Sequence, residues 1–165
     1  MTALFSRGKG RRAAAAVGAV TLGLVALTAC DKPTPLATVT VGSNTVTSEA
    51  TDGCFGDGKA LEKSVMEKCL SKKDGKTVKV GAGEKVRIGV EPKIADTGWV
   101  VVAGGPVMPE PTNNTYRTFD TDTLFTQKNQ MGQATLMDKV TVTVIELSKG
   151  EAKGMWHFNL ERDGS

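Results

Sequence analysis

The chain has 165 residues, a formal net charge of +3 and 39% hydrophobic residues, enough for one folded domain with its own core. The positive charge comes from four basic residues that precede the first acidic one: Arg7, Lys9, Arg11 and Arg12. The rest of the chain holds 17 Lys and Arg against 18 Asp and Glu, which excludes the basic surface that nucleic-acid-binding domains need.

The first thirty residues have the pattern of an export signal. The basic residues are followed by an apolar run over Ala13–Leu27, which is typical of a signal peptide and is shorter than the ~20 residues of a membrane-spanning helix. Leu27-Thr28-Ala29-Cys30 resembles a bacterial lipobox. The resemblance implies cleavage before Cys30 and a diacylglyceryl group on its sulfur; a plain signal peptide with a coincidental cysteine remains the alternative.

This interpretation predicts three parts: a signal peptide over residues 1–29, a lipidated cysteine with a short tether over 30–36, and a domain over 37–165. Two acyl chains anchor a protein stably where one does so only marginally. The five tether residues Asp31–Pro35 extend over at most roughly 17 Å. We therefore expect the domain to lie close to the extracytoplasmic face of the cell membrane, with the membrane as one partner.

The first half of the domain predicts two hairpins and a helix. Leu36–Thr47 alternates β-branched residues around a Gly-Ser-Asn turn, and Lys59–Leu70 places its apolar residues on one face of a short helix. Thr77–Val80 and Glu84–Glu91 alternate with period two on either side of Gly81-Ala82-Gly83, and we predict that they form a second hairpin.

The second half predicts further strands. Thr97–Ala103 is almost continuously apolar, and short strands are expected at Tyr116–Phe119 and Asp122–Gln127. Met137–Leu147 and Lys153–Leu160 form a closing hairpin. Together these elements predict a mainly β fold, an Ig-like antiparallel β-sandwich with one short helix.

The alternation also assigns the two faces of the strands. Trp99 is expected in the core, and the inward residues are Val86, Ile88, Val90, Trp156, Phe158 and Leu160. The opposite faces are expected to be polar, with no large apolar patch.

Two cysteines remain after Cys30. Cys54 and Cys69 form an even pair in an exported chain, so we expect a disulfide between them. Metal ligation would need further Cys or His residues nearby, and a redox pair would usually be separated by two residues. Neither pattern is present in the sequence.

Several stretches resemble a family of small actinobacterial lipoproteins with a domain of unknown function. The most distinctive runs from Gly83 to Trp99, a strand that leads through Ile-Ala-Asp-Thr to a tryptophan. The others are the lipobox, the VTVGSNTVT opening, the segment between the two cysteines, and the closing MWHF. The resemblance implies a cell-surface Ig-like domain and no activity.

A fainter resemblance is to chagasin-type inhibitors of cysteine proteases. Gly83-Glu84, Ile88 and Asp96-Thr97-Gly98-Trp99 are similar to one inhibitor strand and loop, and Gly104-Gly105 to a second loop. The Asn-Pro of the first inhibitor loop is missing. The resemblance implies protease inhibition as an alternative function.

The sequence offers no evident catalytic set, so we predict a protein without enzymatic activity or cofactor. His157 is the sole histidine, and the strand pattern directs it outward beside Met155, where we expect a surface residue. A general base needs a nucleophile or acid within hydrogen-bond reach, and no motif supplies one. Thioethers and imidazole suit Cu(I), so copper binding is a second alternative, with Met108, Met131 and Met137 as further ligands.

The best candidate for binding is the proline-rich loop Gly104–Thr115 with the residues that follow it. Loops on a rigid sandwich often bind partners, and tyrosine and arginine are frequent interface anchors. We therefore predict that a protein or small ligand near the membrane is bound through Met108, Tyr116 and Arg117 rather than through the sheet faces.

Overall fold

Two four-stranded sheets pack face to face, and three short helices and a small hairpin are added to them. The computed structural model describes residues 32–104, 110–128 and 131–164, which from Pro33 onward form one compact unit. In chain order the elements are β1 Ala37–Val41, β2 Asn44–Ser48, α1 Lys63–Ser71, β3 Lys76–Val80, β4 Lys85–Val90, α2 Pro92–Thr97, β5 Trp99–Ala103, β6 Tyr116–Asp120, α3 Thr121–Phe125, β7 Thr126–Lys128, β8 Ala134–Leu136, β9 Lys139–Ser148 and β10 Glu151–Arg162.

The strand order confirms the predicted sandwich. The first sheet has the order β2-β1-β4-β6 and the second β3-β10-β9-β5, while β7 and β8 pair with each other. β4 and β6 lie in one sheet, as strands B and E do in an immunoglobulin sandwich. β5, β9 and β10 lie in the other sheet, as strands C, F and G do. All pairs are antiparallel except β3 with β10, which is parallel.

The core lies between the sheets and is built by the period-two pattern. All six residues assigned inward from the sequence are buried, as are Trp99 and β9 residues Val142 and Val144. Both indole N–H groups find backbone acceptors: Trp99 Nε1 donates to the Asn114 carbonyl at 2.7 Å and Trp156 Nε1 to the Pro35 carbonyl at 2.8 Å. The core therefore buries two large aromatic side chains without leaving a donor unpaired.

The hairpins β1–β2 and β9–β10 form as predicted, with turns at Gly42-Ser43 and Lys149-Gly150. The helix within Lys59–Leu70 is also present, but α1 begins only at Lys63 and has no side-chain cap at Glu62. Its burial on the second sheet, more than its N-terminal sequence, stabilises so short a helix.

The predicted hairpin around Gly81-Ala82-Gly83 is wrong. β3 pairs with β10 in the second sheet and β4 pairs with β1 and β6 in the first, so this turn carries the chain from one sheet to the other. Both strands bury alternate apolar residues in the same core, from opposite sheets. The two strands of a hairpin show the same alternation, so the sequence pattern does not tell whether neighbouring strands lie in one sheet or in two. The Glu84 carboxylate accepts the Gly81 N–H at 2.7 Å, and Gly83 has φ +77°, a value that favours glycine.

One short helix replaces a predicted strand, and a second lies where the sequence predicted no element. The strand expected at Asp122–Gln127 is α3 followed by β7, because the adjacent residues Leu124 and Phe125 both enter the core, which a strand does not allow. α2 lies before β5, with Pro92 at its first turn and the neighbours Ile94 and Ala95 buried. Six residues are too few for helical periodicity to be recognised in the sequence.

Candidate functional site

A groove runs over the outer face of the second sheet, the face turned away from the core. We call this cavity of about 1280 Å³ the outer groove. β9 forms its floor, α1 one wall, and residues beside the β7–β8 hairpin the other. Its lining residues are Met66, Leu70, Ser71, Lys72, Lys73, Thr77, Val102, Gly104, Gln127, Met137, Lys139, Val140, Thr141, Thr143, Ile145, Leu147, Gly150, Ala152, Met155, Asn159 and Glu161.

The floor follows from the alternation of β9. Val140, Val142 and Val144 belong to the core, so Thr143, Ile145 and Leu147 point to the other face. On β5, Val102 does the same opposite Thr143, and on β10 Met155 lies opposite Ile145. The polar outer face predicted from the sequence is therefore wrong for part of this sheet, where Val102, Ile145, Leu147 and Met155 make the outer side apolar as well.

α1 and the disulfide form the wall of the groove. The Cys54–Cys69 disulfide is present as predicted, and both cysteines are buried. They belong to a second apolar cluster, outside the main core, with Val100, Ile145, Ala152 and Met155; Leu61, Val65 and Met66 pack against it. The disulfide thus holds the C-terminal end of α1 against the sheet beside the groove.

The groove changes character along its length. At one end Ala152 lies opposite Leu147, and this end is apolar. Leu70 lines the groove near the end of α1 and is 46% exposed. At the other end the lining is polar, since β10 pairs Asn159 with Thr141 and Glu161 with Lys139. The Asn159 side chain also donates to the Lys73 carbonyl at 2.9 Å, which brings the end of α1 and its lysines to the polar end.

His157 is buried, so the prediction of a surface histidine is wrong. It does point to the outer face, as expected, but the segment around the disulfide covers it and only 1% of it is exposed. Its Nδ1 lies 2.6 Å from Thr51 Oγ1, and Nε2 has no hydrogen-bond partner.

Burial lowers the pKa of His157. The backbone of Cys69 and the charge of Asp74 raise that pKa, and the charge of Lys72 adds to the lowering. The neutral ring is therefore favoured in the folded protein, where its unpaired Nε2 is buried at a cost in free energy. Among the described residues, its side-chain hydrogen-bond partner is the Thr51 hydroxyl, and no carboxylate is bonded to the ring.

The structure describes only part of the predicted binding surface. Met108 and Cys30 lie outside the described residues, while Tyr116 and Arg117 belong to β6, at the edge of the first sheet. Tyr116 is 64% exposed. Arg117 donates to the Glu110 carbonyl at 3.0 Å and lies 5.4 Å from the Phe119 ring, so its guanidinium has internal partners.

Three methionines line the outer groove: Met66, Met137 and Met155. Two of them were considered as copper ligands from the sequence, and Met66 was assigned to the helix face alone. Met131 is 81% exposed and does not line the groove. Within the described ranges no group of three His, Cys, Asp or Glu residues is placed to hold a metal ion.

The groove was not predicted, because the sequence pattern gave α1 an apolar face but not the sheet that this face covers. The signal was the continuous apolar run WVVVA and the adjacent apolar residues Val144 and Ile145. A strand that is buried on one face only alternates apolar with polar residues. Strands that are apolar on both faces need a covering layer on the outer face as well, and α1 covers only part of the outer face of this sheet.

Comparisons of the chain with protein-family models, with curated proteins and with solved structures find no match. Among the residues that the structure describes, no helix is long and apolar enough to cross a membrane.

Proposed function

We propose that this protein is a lipoprotein anchored at the extracytoplasmic face of the membrane, with a non-catalytic domain that binds a ligand through the outer groove. The observation that carries the binding role is the groove itself: a cavity of about 1280 Å³, floored by apolar residues of a rigid sheet and bordered by a few polar groups. Ligand sites are typically concave, mostly apolar and furnished with few polar groups.

The groove replaces the Gly104–Arg117 segment as our first candidate surface. The segment was preferred because the sheet faces were expected to be polar, and that reason does not hold for the second sheet. Tyr116 remains an exposed aromatic residue on a separate surface, so it serves as a comparison in the test below.

Site-specific photo-crosslinking in intact envelopes tests this role. A photoreactive amino acid at Leu70, in the lining of the groove, should produce an adduct of defined mass, which is detected by mass spectrometry of the purified protein. Leu136 is the matched control, a leucine of similar exposure (48%) that does not line the groove. Equal labelling at the two positions, or labelling at Tyr116 alone, would contradict the groove as the binding site.

The membrane anchor is supported by the lipobox-like sequence that ends in Cys30. With Cys30→Ser we expect complete loss of metabolic labelling by a fatty acid, because no other residue is proposed to carry lipid. The unchanged protein provides the reference signal. Labelling that persists in the variant would remove the anchor from the proposal.

Copper binding is a second candidate, favoured by the three methionines that share the outer groove. Thioethers are soft ligands that suit Cu(I). Competition with a chromogenic Cu(I) chelator tests it: Met66→Leu with Met137→Leu should abolish any tight binding, while Met131→Leu should have no effect. No comparable observation favours protease inhibition, which stays a prediction.

A further inference from the structure

We propose that the occupant of the outer groove is a long-chain amphiphile with an anionic headgroup, its chain on the apolar floor and its headgroup beside Lys72 and Lys73. This inference rests on the proposed function, because it takes the groove to be the binding site. It adds the chemistry and the orientation of the ligand.

The size and shape of the groove favour a long chain. From Leu147 to Thr141 the floor spans seven residues of β9, about 20 Å at the usual rise of a strand, and passes from apolar residues to threonines. Its volume is above the roughly 300–1,000 Å³ of most small-ligand pockets. The partly exposed apolar residues of its lining, such as Met66, Val102 and Leu147, would stay in contact with water beside a compact polar metabolite.

The pairing of β9 argues against an extended peptide as the occupant. Peptides that bind along sheets add to a free edge, where backbone groups are unpaired. β9 is bonded to β5 on one side and to β10 on the other, so the floor offers side chains and no free backbone row. A hydrocarbon chain needs no hydrogen bonds and fits such a floor.

Charge places the headgroup at the polar end. The lining includes three lysines, Lys72, Lys73 and Lys139, and one acid, Glu161. Lys139 is bound to Glu161 at 2.9 Å, so that pair is already neutral. Lys72 donates to the Asp52 carbonyl at 2.6 Å, and a lysine ammonium has three donors, so it keeps capacity for an anion.

The methionines suit a ligand whose chain varies. Met66 lies on the helix wall, Met155 on the floor and Met137 on the opposite side, so thioether side chains line the groove on three sides. Methionine is unbranched and flexible, and it adapts to surfaces of different shape.

The test is a titration of the full chain carrying Cys30→Ser, oxidised at the Cys54–Cys69 pair and free of detergent. The probes are a fluorescent long-chain fatty acid and the matching fatty alcohol, which differ only in the headgroup. We expect saturable binding of one acid per chain and weaker binding of the alcohol. Absence of saturable acid binding, or equal affinity for acid and alcohol, would overturn the proposal.

Two pairs of variants locate the probe. Leu70→Glu should weaken binding of both probes at least about fivefold by placing a charge in the lining of the groove, whereas Leu136→Glu should not. Lys72→Gln with Lys73→Gln should weaken acid binding about fivefold and leave the alcohol unchanged. Lys63→Gln with Lys68→Gln removes the same charge from exposed positions of α1 outside the groove, and equal loss in this control would overturn the headgroup assignment.

Two further outcomes separate this inference from the proposed function. An adduct at Leu70 in envelopes without fatty-acid binding in solution refutes the amphiphile and leaves the groove as a binding site; absence of both refutes both. Dimerisation that Leu70→Glu abolishes, seen by light scattering, would assign the groove to a second copy of the chain and overturn the proposal.

Discussion

Removal of the Cys54–Cys69 disulfide should destabilise the protein and loosen one wall of the outer groove. The bond closes a loop of 15 residues, which corresponds to about 3 kcal/mol on the chain-entropy model. Both cysteines are buried, so replacing them by alanine also removes packed sulfur atoms. We therefore expect Cys54→Ala with Cys69→Ala to lower the free energy of unfolding by at least about 3 kcal/mol, and the melting temperature by roughly 10 °C.

The assay is urea unfolding of the variant and the unchanged protein at pH 7.5, followed by tryptophan fluorescence. Hydrogen exchange provides the local measurement: amides of α1 should lose most protection, because the helix is held by the disulfide and one apolar cluster. Amides of β4, in the opposite sheet, are the internal control. A loss below about 1 kcal/mol, or equal loss of protection in α1 and β4, would refute the idea that the bond holds α1 on the sheet.

Two further predictions concern buried groups. The pKa of His157 is lowered in the folded protein, so the unfolded chain takes up a proton at a higher pH than the folded protein does. The free energy of unfolding should therefore fall from pH 7.5 to pH 5. His157→Gln should lack this contribution, and identical pH profiles of stability for the variant and the unchanged protein would contradict it. A Cβ at Gly75 would lie 2.6 Å from the His157 carbonyl oxygen, so Gly75→Ala should cost about 1–3 kcal/mol in urea unfolding. Gly89→Ala, whose Cβ meets nothing closer than 3.6 Å, should stay within about 0.5 kcal/mol, and similar losses for both would disprove the close approach.

Local patterns predicted most of the sandwich. The inward residues of β4 and β10 were assigned correctly because period-two burial is a property of each strand alone. The pairing partners of β3 and β4 were not predicted correctly. Strands from both sheets face the same core, so both show the same alternation of apolar and polar residues. The disulfide was accessible for a chemical reason: two cysteines remained in a chain with an export signal.

The groove was harder to predict because it depends on where α1 lies. The sequence shows that Ile145 and Leu147 are apolar on the outer side of β9, but not that a helix covers only part of them. The prediction that His157 is exposed was wrong for the same reason. Its burial depends on residues around Thr51 and Cys69, which are about a hundred positions away in the chain. Side chains buried by distant segments are the ones that local periodicity cannot assign.

The parallel pairing of β3 with β10 sets the order in which this chain completes its fold. β3 is made early and β10 last, and their partners Lys76 and Phe158 stand about 80 residues apart. β10 lies between β3 and β9 in the second sheet, so β3 cannot join this sheet until the C-terminal residues are available. Contacts of such sequence separation are slow to form. Until β10 is available, β3 and one edge of β9 therefore stay unpaired, and a chain cut short before Trp156 would keep them exposed to aggregation.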